Sequence, residues 1–187
     1  MKIVETSIPG VQIIEPKIFR DARGFFFETY SEERYVALGV RWRFVQDNYA
    51  CSHAGVLRGL HYQVEDRQAK LVSVLRGRIF DVAVDIRRGS PHFLQHVEVE
   101  LSAENQRQLL IPAGFAHGYY AIEDSDFIYK CSRPFRPEHE RGIAYNDSDL
   151  AISWPLGDQT PFLSPRDAAL PTVANMPKED LPPFETP

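Results

Sequence analysis

Short apolar runs broken by turn residues follow one another along most of the chain. VQIIE, GFFFETY, KLVSVL, RIFDVAVDI, HFLQHVEVEL, QLLIPAG, HGYYAIE and DFIYKCS are rich in β-branched and aromatic residues, and Gly, Pro, Asn or Asp punctuates several of them. Many short segments of this kind predict an all-β sandwich or barrel. The period of two is clearest in RIFDVAVDI, where Ile79, Asp81, Ala83 and Asp85 share one face and Phe80, Val82, Val84 and Ile86 the other. The first of these faces carries two carboxylates, so it is expected to meet solvent or a polar cavity.

A helical pattern stands out once. Ser31 can cap SEERYVALG, Glu32 and Glu33 suit the positive end of the helix dipole, and Gly39 can end it. From Trp154 to Pro187 lie eight of the 14 prolines, which exclude long regular elements there and predict an extended wrap over the barrel. The expected architecture is all-β: a double-sheet jelly roll with one or two short helices, a cavity between the sheets and a proline-rich C-terminal wrap. No repeat or linker divides the chain, so one domain is expected over 1–187, long enough to bury a core unaided.

Composition narrows the function. A net charge of -5 with no clustered basic stretch argues against nucleic acid as the partner, because a phosphate backbone needs a basic footprint. No run approaches the length of a membrane span, and MKIVETSIPGV has no apolar signal-peptide core, so a cytoplasmic protein is expected. Cys51 and Cys131 are far apart and in no metal or redox spacing. They read as reduced thiols, with a single bridge as the alternative.

LRGLHYQ and AKLV raise the question of a metal. Cupin jelly rolls carry a glycine, five residues and HxH, then a glutamate, and later PxGxxH. IPAGFAH supplies Pro112, Gly114 and His117 for the second pattern, but the first is altered: His61 is followed by Gln63, and Lys70 stands in the glutamate position. An ammonium has no lone pair and repels a divalent ion, and an amide oxygen is a poor ligand for borderline metals. His61 and His117 alone are too few for a zinc or iron site, so no metal is expected. What remains is a cupin-like barrel whose cavity holds a base, a cation and a second histidine.

The strings FRDARGFFFETY, FVQDN, GVLRGLHYQ, AKLV, FDVAVDIR, IPAGFAHG, FIYK, ND at 146–147 and LSPRD, in this order over about residues 2–171, closely resemble the dTDP-4-dehydrorhamnose 3,5-epimerase family. The resemblance implies a cupin-type jelly roll, a homodimer, no metal and no organic cofactor. It implies inversion at C3 and C5 of a 4-keto-6-deoxyhexose carried on a nucleoside diphosphate, the dTDP-linked sugar that feeds L-rhamnose synthesis. Both carbons flank a ketone, so each inversion needs a base on one face, an acid on the other, and a cation or donor near O4.

The resemblance assigns the base to His61, an imidazole that titrates near neutral pH, and its orienting carboxylate to Asp167. Tyr129 matches the acid of the opposite face, and Lys70 is the expected oxyanion partner. Each has a plainer alternative: a core histidine, a turn or cap residue after Pro165, a strand tyrosine in the core, a solvated lysine. Arg23 and Arg58 are the expected pyrophosphate ligands, each followed by a glycine that would allow close backbone approach. Arg23, Phe26 and Glu28 are implied to cross into the neighbouring subunit's site. Gln46, Asn48, Asp81, His117, Phe135 and Glu140 complete the expected substrate-binding set.

Three departures from the family pattern bear on the substrate. Phe135 stands where a tyrosine or another large aromatic is usual, SPHFLQH replaces SPTFGQW, and AHGYY replaces AHGF, which puts bulk at Leu94 and Tyr119. A relative that inverts one carbon only is therefore the nearest alternative. A non-catalytic sugar-nucleotide-binding jelly roll and a metal-dependent oxygenase are the more distant ones.

Overall fold

In the computed structural model, which describes residues 1–184, the apolar runs become strands of two facing sheets; residues 185–187 of the expected single domain lie outside the described residues. The strands are β1 (Lys2–Glu5), β2 (Gln12–Glu15), β3 (Phe19–Asp21), β4 (Gly24–Phe26), β5 (Gln46–Ser52), β6 (Leu57–Gln63), β7 (Lys70–Arg76), β8 (Arg78–Asp85), β9 (His96–Ser102), β10 (Gln108–Ile111), β11 (Phe115–Ala121), β12 (Ser125–Cys131) and β13 (Glu140–Gly142). One sheet has the order β1-β2-β10-β7-β12-β5 and the other β13-β6-β11-β8-β9, with antiparallel pairing throughout. This is the expected jelly roll. β3 and β4 form a separate hairpin.

Period-two patterning decides what lies between the sheets. Val72, Val74, Leu109, Ile111 and Phe127 from the first sheet meet Ile79, Ala83, Val97, Val99, Leu101 and Phe115 from the second in one buried cluster. Each such side chain contributes about 1.5–3 kcal/mol by leaving water. Towards one end the inward positions turn polar, and there the interior opens into a cavity.

Both outer faces are covered as well. Tyr35 of α1 (Glu32–Ala37) packs with Val40 on Ile14, Leu71 and Leu110 of the six-stranded sheet. Ser31 sits at the N-cap position but makes no side-chain cap bond, contrary to the expectation from its sequence. Gly39 does end the helix: at φ +92° it lets its own N–H reach Val36 O at 2.9 Å and the Val40 N–H reach Tyr35 O at 2.9 Å, the paired bonds of a Schellman cap.

The chain from Ile143 onward, ending in the proline-rich wrap, covers the five-stranded sheet. Ile143, Leu150, Met176 and Leu181 pack on Leu60, Tyr62, Val82, Val84 and Ile86, while Leu57 N–H donates to Phe162 O and Arg88 N–H to Pro182 O. β8 is therefore buried on both faces, and Asp81 and Asp85 are each 0% exposed. Asp85 is neutralised by Arg87 at 2.7 Å and by the Ser90 hydroxyl at 2.6 Å. The strand expected to begin at HFLQH starts only at His96, because residues before it form a turn in which Leu94 takes φ +67°. Leu94 packs into the layer under the wrap, so its bulk does not reach the cavity.

Candidate active site

Gln46, Asn48, Arg58, His61, Lys70, His117, Tyr119, Tyr129, Phe135 and Glu140 are among the residues that line a cavity of about 290 Å³ between the sheets. Arg58 and His61 are three apart on β6, and a regular strand would send them to opposite faces. The register resolves this: His117 pairs with His61 and Tyr119 with Arg58, so β6 advances three residues while β11 advances two. The bulge lets both side chains face the same space. Gly59 makes it possible, since at φ +116° a Cβ there would stand 2.6 Å from Gly118 Cα and 2.7 Å from His117 O. The glycine after Arg58 thus serves close contact between strands.

Each cavity histidine has a carboxylate behind it. His61 Nε2 lies 2.6 Å from Asp167 Oδ1, and Asp167 is buried while the imidazole is partly open. Asp167 sits in α2 (Pro165–Ala168), where Ser164, not Asp167, supplies the cap by accepting from the Asp167 N–H at 3.0 Å. Burial opposes the charge on Asp167, yet hydrogen bonds from His61 and Ser164 and the nearby Arg166 hold its carboxyl below the ordinary range. With His61 Nε2–H donating to this carboxylate, the lone pair rests on Nδ1. His117 Nε2 meets both oxygens of Asp81 at 2.9 and 3.0 Å. Asp81 lies behind His117 and does not line the cavity, so it positions the ring and has no surface to offer a ligand.

The opposite sheet supplies a cation and a phenol. Lys70, Tyr129 and Cys131 project from β7 and β12, where Lys70 pairs in register with Cys131. Among the described residues no carboxylate stands within ion-pair distance of Lys70. Burial pushes its ammonium pKa down, and Cys131, Glu140 and Asp81 push it partly back. Burial, with Cys131, Tyr119 and Glu140 nearby, pushes the Tyr129 hydroxyl up to about 12, so the phenol keeps its proton. Tyr119 stacks edge-on over Phe127 at 4.6 Å and shares a 2.9 Å hydrogen bond with Ser52, which turns its extra hydroxyl away from open water.

At the rim, Gln46 Nε2 donates to Asn48 Oδ1 at 2.9 Å, the Arg58 guanidinium reaches Cys51 O at 3.1 Å, and Glu140 pairs with Arg166. Three expected residues lie elsewhere. Arg23 is exposed and paired with Asp21 at 2.6 Å, Phe26 is 70% exposed, and Glu28 pairs with Arg34 at 3.4 Å; none lines this chain's cavity. The glycine after Arg23 closes the β3–β4 turn, with nothing within 4 Å of a Cβ built there. Cys131 and Phe127 were missed as cavity residues, although the alternation of FIYKC around Tyr129 puts both on its face.

The donor set does not suit a metal. Among the described residues no group of three or more His, Cys, Asp or Glu side chains could hold a metal ion, and Gln63 spends its amide on backbone groups. Lys70 stands in the remaining position, where an ammonium has no lone pair to offer a metal.

A histidine held by a buried carboxylate, sharing a cavity with a lysine and a protonated phenol inside a jelly roll, is a set of groups suited to acid–base chemistry on carbon. The chain matches dTDP-4-dehydrorhamnose 3,5-epimerase over residues 5–175 and belongs to that family of isomerases. A relative of this name from Pseudomonas aeruginosa is 52% identical over 169 residues, 89% of this chain and 93% of the relative. The crystal structure of a dTDP-6-deoxy-D-glucose-3,5-epimerase from Legionella pneumophila, in complex with dTDP-4-keto-L-rhamnose, superposes with a TM-score of 0.95 at 53% identity, covering 99% of both chains. A 3'-monoepimerase from Streptomyces bikiniensis in complex with dTDP-quinovose is more distant: 36% identity and a TM-score of 0.88, over 98% of this chain and 93% of that one.

Proposed function

We propose that this epimerase inverts C3 and C5 of dTDP-4-dehydro-6-deoxy-D-glucose to give dTDP-4-dehydro-L-rhamnose, for dTDP-L-rhamnose synthesis in the cytoplasm, without metal or organic cofactor. The observation that carries the reading is the 2.6 Å pairing of His61 with Asp167 in a cavity that also holds Lys70 and Tyr129. His61 takes the proton from the carbon beside the C4 ketone, and the electron pair moves into an enolate. Lys70 stabilises the charge growing on O4 in a site where few waters screen it. Tyr129 returns a proton to the opposite face, and exchange with solvent resets both groups. His117, held by Asp81, completes the polar floor.

Arg58, Gln46, Asn48, Phe135 and Glu140 bind the nucleotide and its pyrophosphate, with Arg58 supplying a guanidinium fork suited to paired phosphate oxygens. The β3–β4 hairpin completes the site of a second copy in a homodimer. Arg23, Phe26 and Glu28 lie outside their own cavity, and Phe19, Phe25 and Phe26 are exposed on that hairpin, as a segment that docks on a partner would be. The whole chain acts as one domain.

Incubation with dTDP-4-dehydro-6-deoxy-D-glucose in D2O, followed by NMR, tests the reading. Deuterium should enter at C3 and C5, with inversion at both. Label at one carbon would leave a mono-epimerase, and binding without label would leave a recognition module.

A further inference from the structure

Gln63 lies two residues beyond His61 on β6 and is buried, yet it lines no part of the cavity. Its amide is spent on the chain around Phe135. Nε2 donates to Asp66 O at 2.8 Å and, more weakly, to Pro134 O at 3.4 Å, while Oε1 accepts from the Arg136 N–H at 2.7 Å. Gln46 Oε1, from the opposite sheet, accepts from the Phe135 N–H at 2.8 Å. Three consecutive residues are therefore gripped through their backbones by two glutamines, one from each sheet. The Phe135 side chain, 44% exposed, stands on the cavity rim between them.

The chemistry of the grip selects an amide. Gln63 must donate to two carbonyls and accept from one N–H with a single side chain, which a carboxylate or an imidazole in that place cannot do. A buried amide so placed also resists rotation, because turning it breaks all three bonds together. A buried strand residue two positions past His61 is thus committed to holding a rim aromatic.

We propose that Gln63 is a positioning residue for substrate binding, fixing the 134–136 segment so that the Phe135 ring is preset to stack on the nucleotide base. The proposal rests on the reading that Phe135 meets the nucleotide. It separates Gln63 from its strand neighbour His61: one sets affinity, the other chemistry.

A double-mutant cycle on the full chain tests it, with calorimetric Kd for dTDP and steady-state kcat and KM as readouts. Phe135→Ala should weaken dTDP binding roughly tenfold, the scale of one lost base–aromatic stack. Gln63→Met, which keeps the volume, and Gln63→Glu, which keeps the acceptor but loses both donors, should each weaken dTDP by a similar factor and raise KM while kcat stays within about twofold. In the Phe135→Ala background Gln63→Met should add nothing. If Phe135→Ala weakens dTDP and both Gln63 variants bind like wild type, or if the two losses multiply, Gln63 does not act through Phe135 and the proposal is wrong. If Phe135→Ala itself binds like wild type, the reading of Phe135 as the nucleotide contact fails first, and the proposal with it.

Discussion

His61 Nε2 and Asp167 Oδ1 meet at 2.6 Å although the residues are 106 positions apart, one on an interior strand of the five-stranded sheet and the other within a four-residue helix in the C-terminal wrap. The wrap is thus part of the site as well as a cover for the sheet. Asp167→Asn leaves a group that can hold the ring in the wrong tautomer and cannot balance an imidazolium. We expect kcat to fall on the order of 10²–10⁴-fold with a small change in KM. A kcat within a few-fold of wild type would return Asp167 to a structural role.

Tyr129→Phe removes the proposed acid and leaves the base in place. Deuterium exchange on the His61 face should then persist while inversion stops, because the carbanion can be reprotonated only from the side it lost its proton. NMR in D2O distinguishes exchange with retention from exchange with inversion; normal inversion in Tyr129→Phe excludes the residue as the acid. The wild-type phenol, pushed up to about 12, should show no ionisation across the working pH range.

Lys70 must be charged to meet an enolate, and burial lowers its pKa. The alkaline limb of the kcat profile should therefore fall as pH rises through a value below that of a free lysine. Lys70→Arg, if active, should move that limb upward, since a guanidinium stays charged. Lys70→Met should lower kcat roughly 10²–10³-fold at neutral pH, the cost of one oxyanion donor. An unchanged limb in Lys70→Arg would assign it to another group.

Asp85 couples stability to acid. Burial raises its pKa, but bonds from Arg87 and Ser90 outweigh it, and the net native value is depressed. A depressed carboxylate gives its full contribution above the unfolded pKa of about 3.9, and loses it as pH falls from there through the lower native value. Urea unfolding between pH 2.5 and 6, on the order of the window set by those values, should show a shallower acid-side slope in Asp85→Asn than in wild type. Equal slopes would mean that other carboxylates carry the dependence.

The apolar strands were legible in the sequence: KLVSVL, RIFDVAVDI, QLLIPAG and DFIYKCS coincide with β7, β8, β10 and β12. β5 was not picked out by this pattern, and LRGLHYQ entered for its chemistry, for one reason. Gln46, Asn48 and His61 turn into the cavity and polar Gln63 is buried behind its rim, so apolar alternation vanishes where the cavity begins. The resemblance picked out Gln46, Asn48, Arg58, His61, Lys70, His117, Tyr129, Phe135 and Glu140, which line the cavity, and passed over Phe127 and Cys131, which line it too. It could not find the grip of Gln63 on residues 134–136, which depends on tertiary approach and which nothing local encodes, whereas the Ser164 cap on Asp167 is a local bond that LSPRD carries. Leu94 was misread for a similar reason: its turn faces the wrap, a direction set by the packing of the tail.

The bulge at Gly59 divides β6 into two halves with independent rotational phase. A change confined to this joint could turn Arg58 away from the cavity while the hydrogen bonds of β6 to β13 keep His61 aimed at it. Within a seven-residue strand the residue proposed to grip an anionic ligand and the one proposed to move protons sit on opposite sides of this joint, so a change at one end need not disturb the pairing at the other.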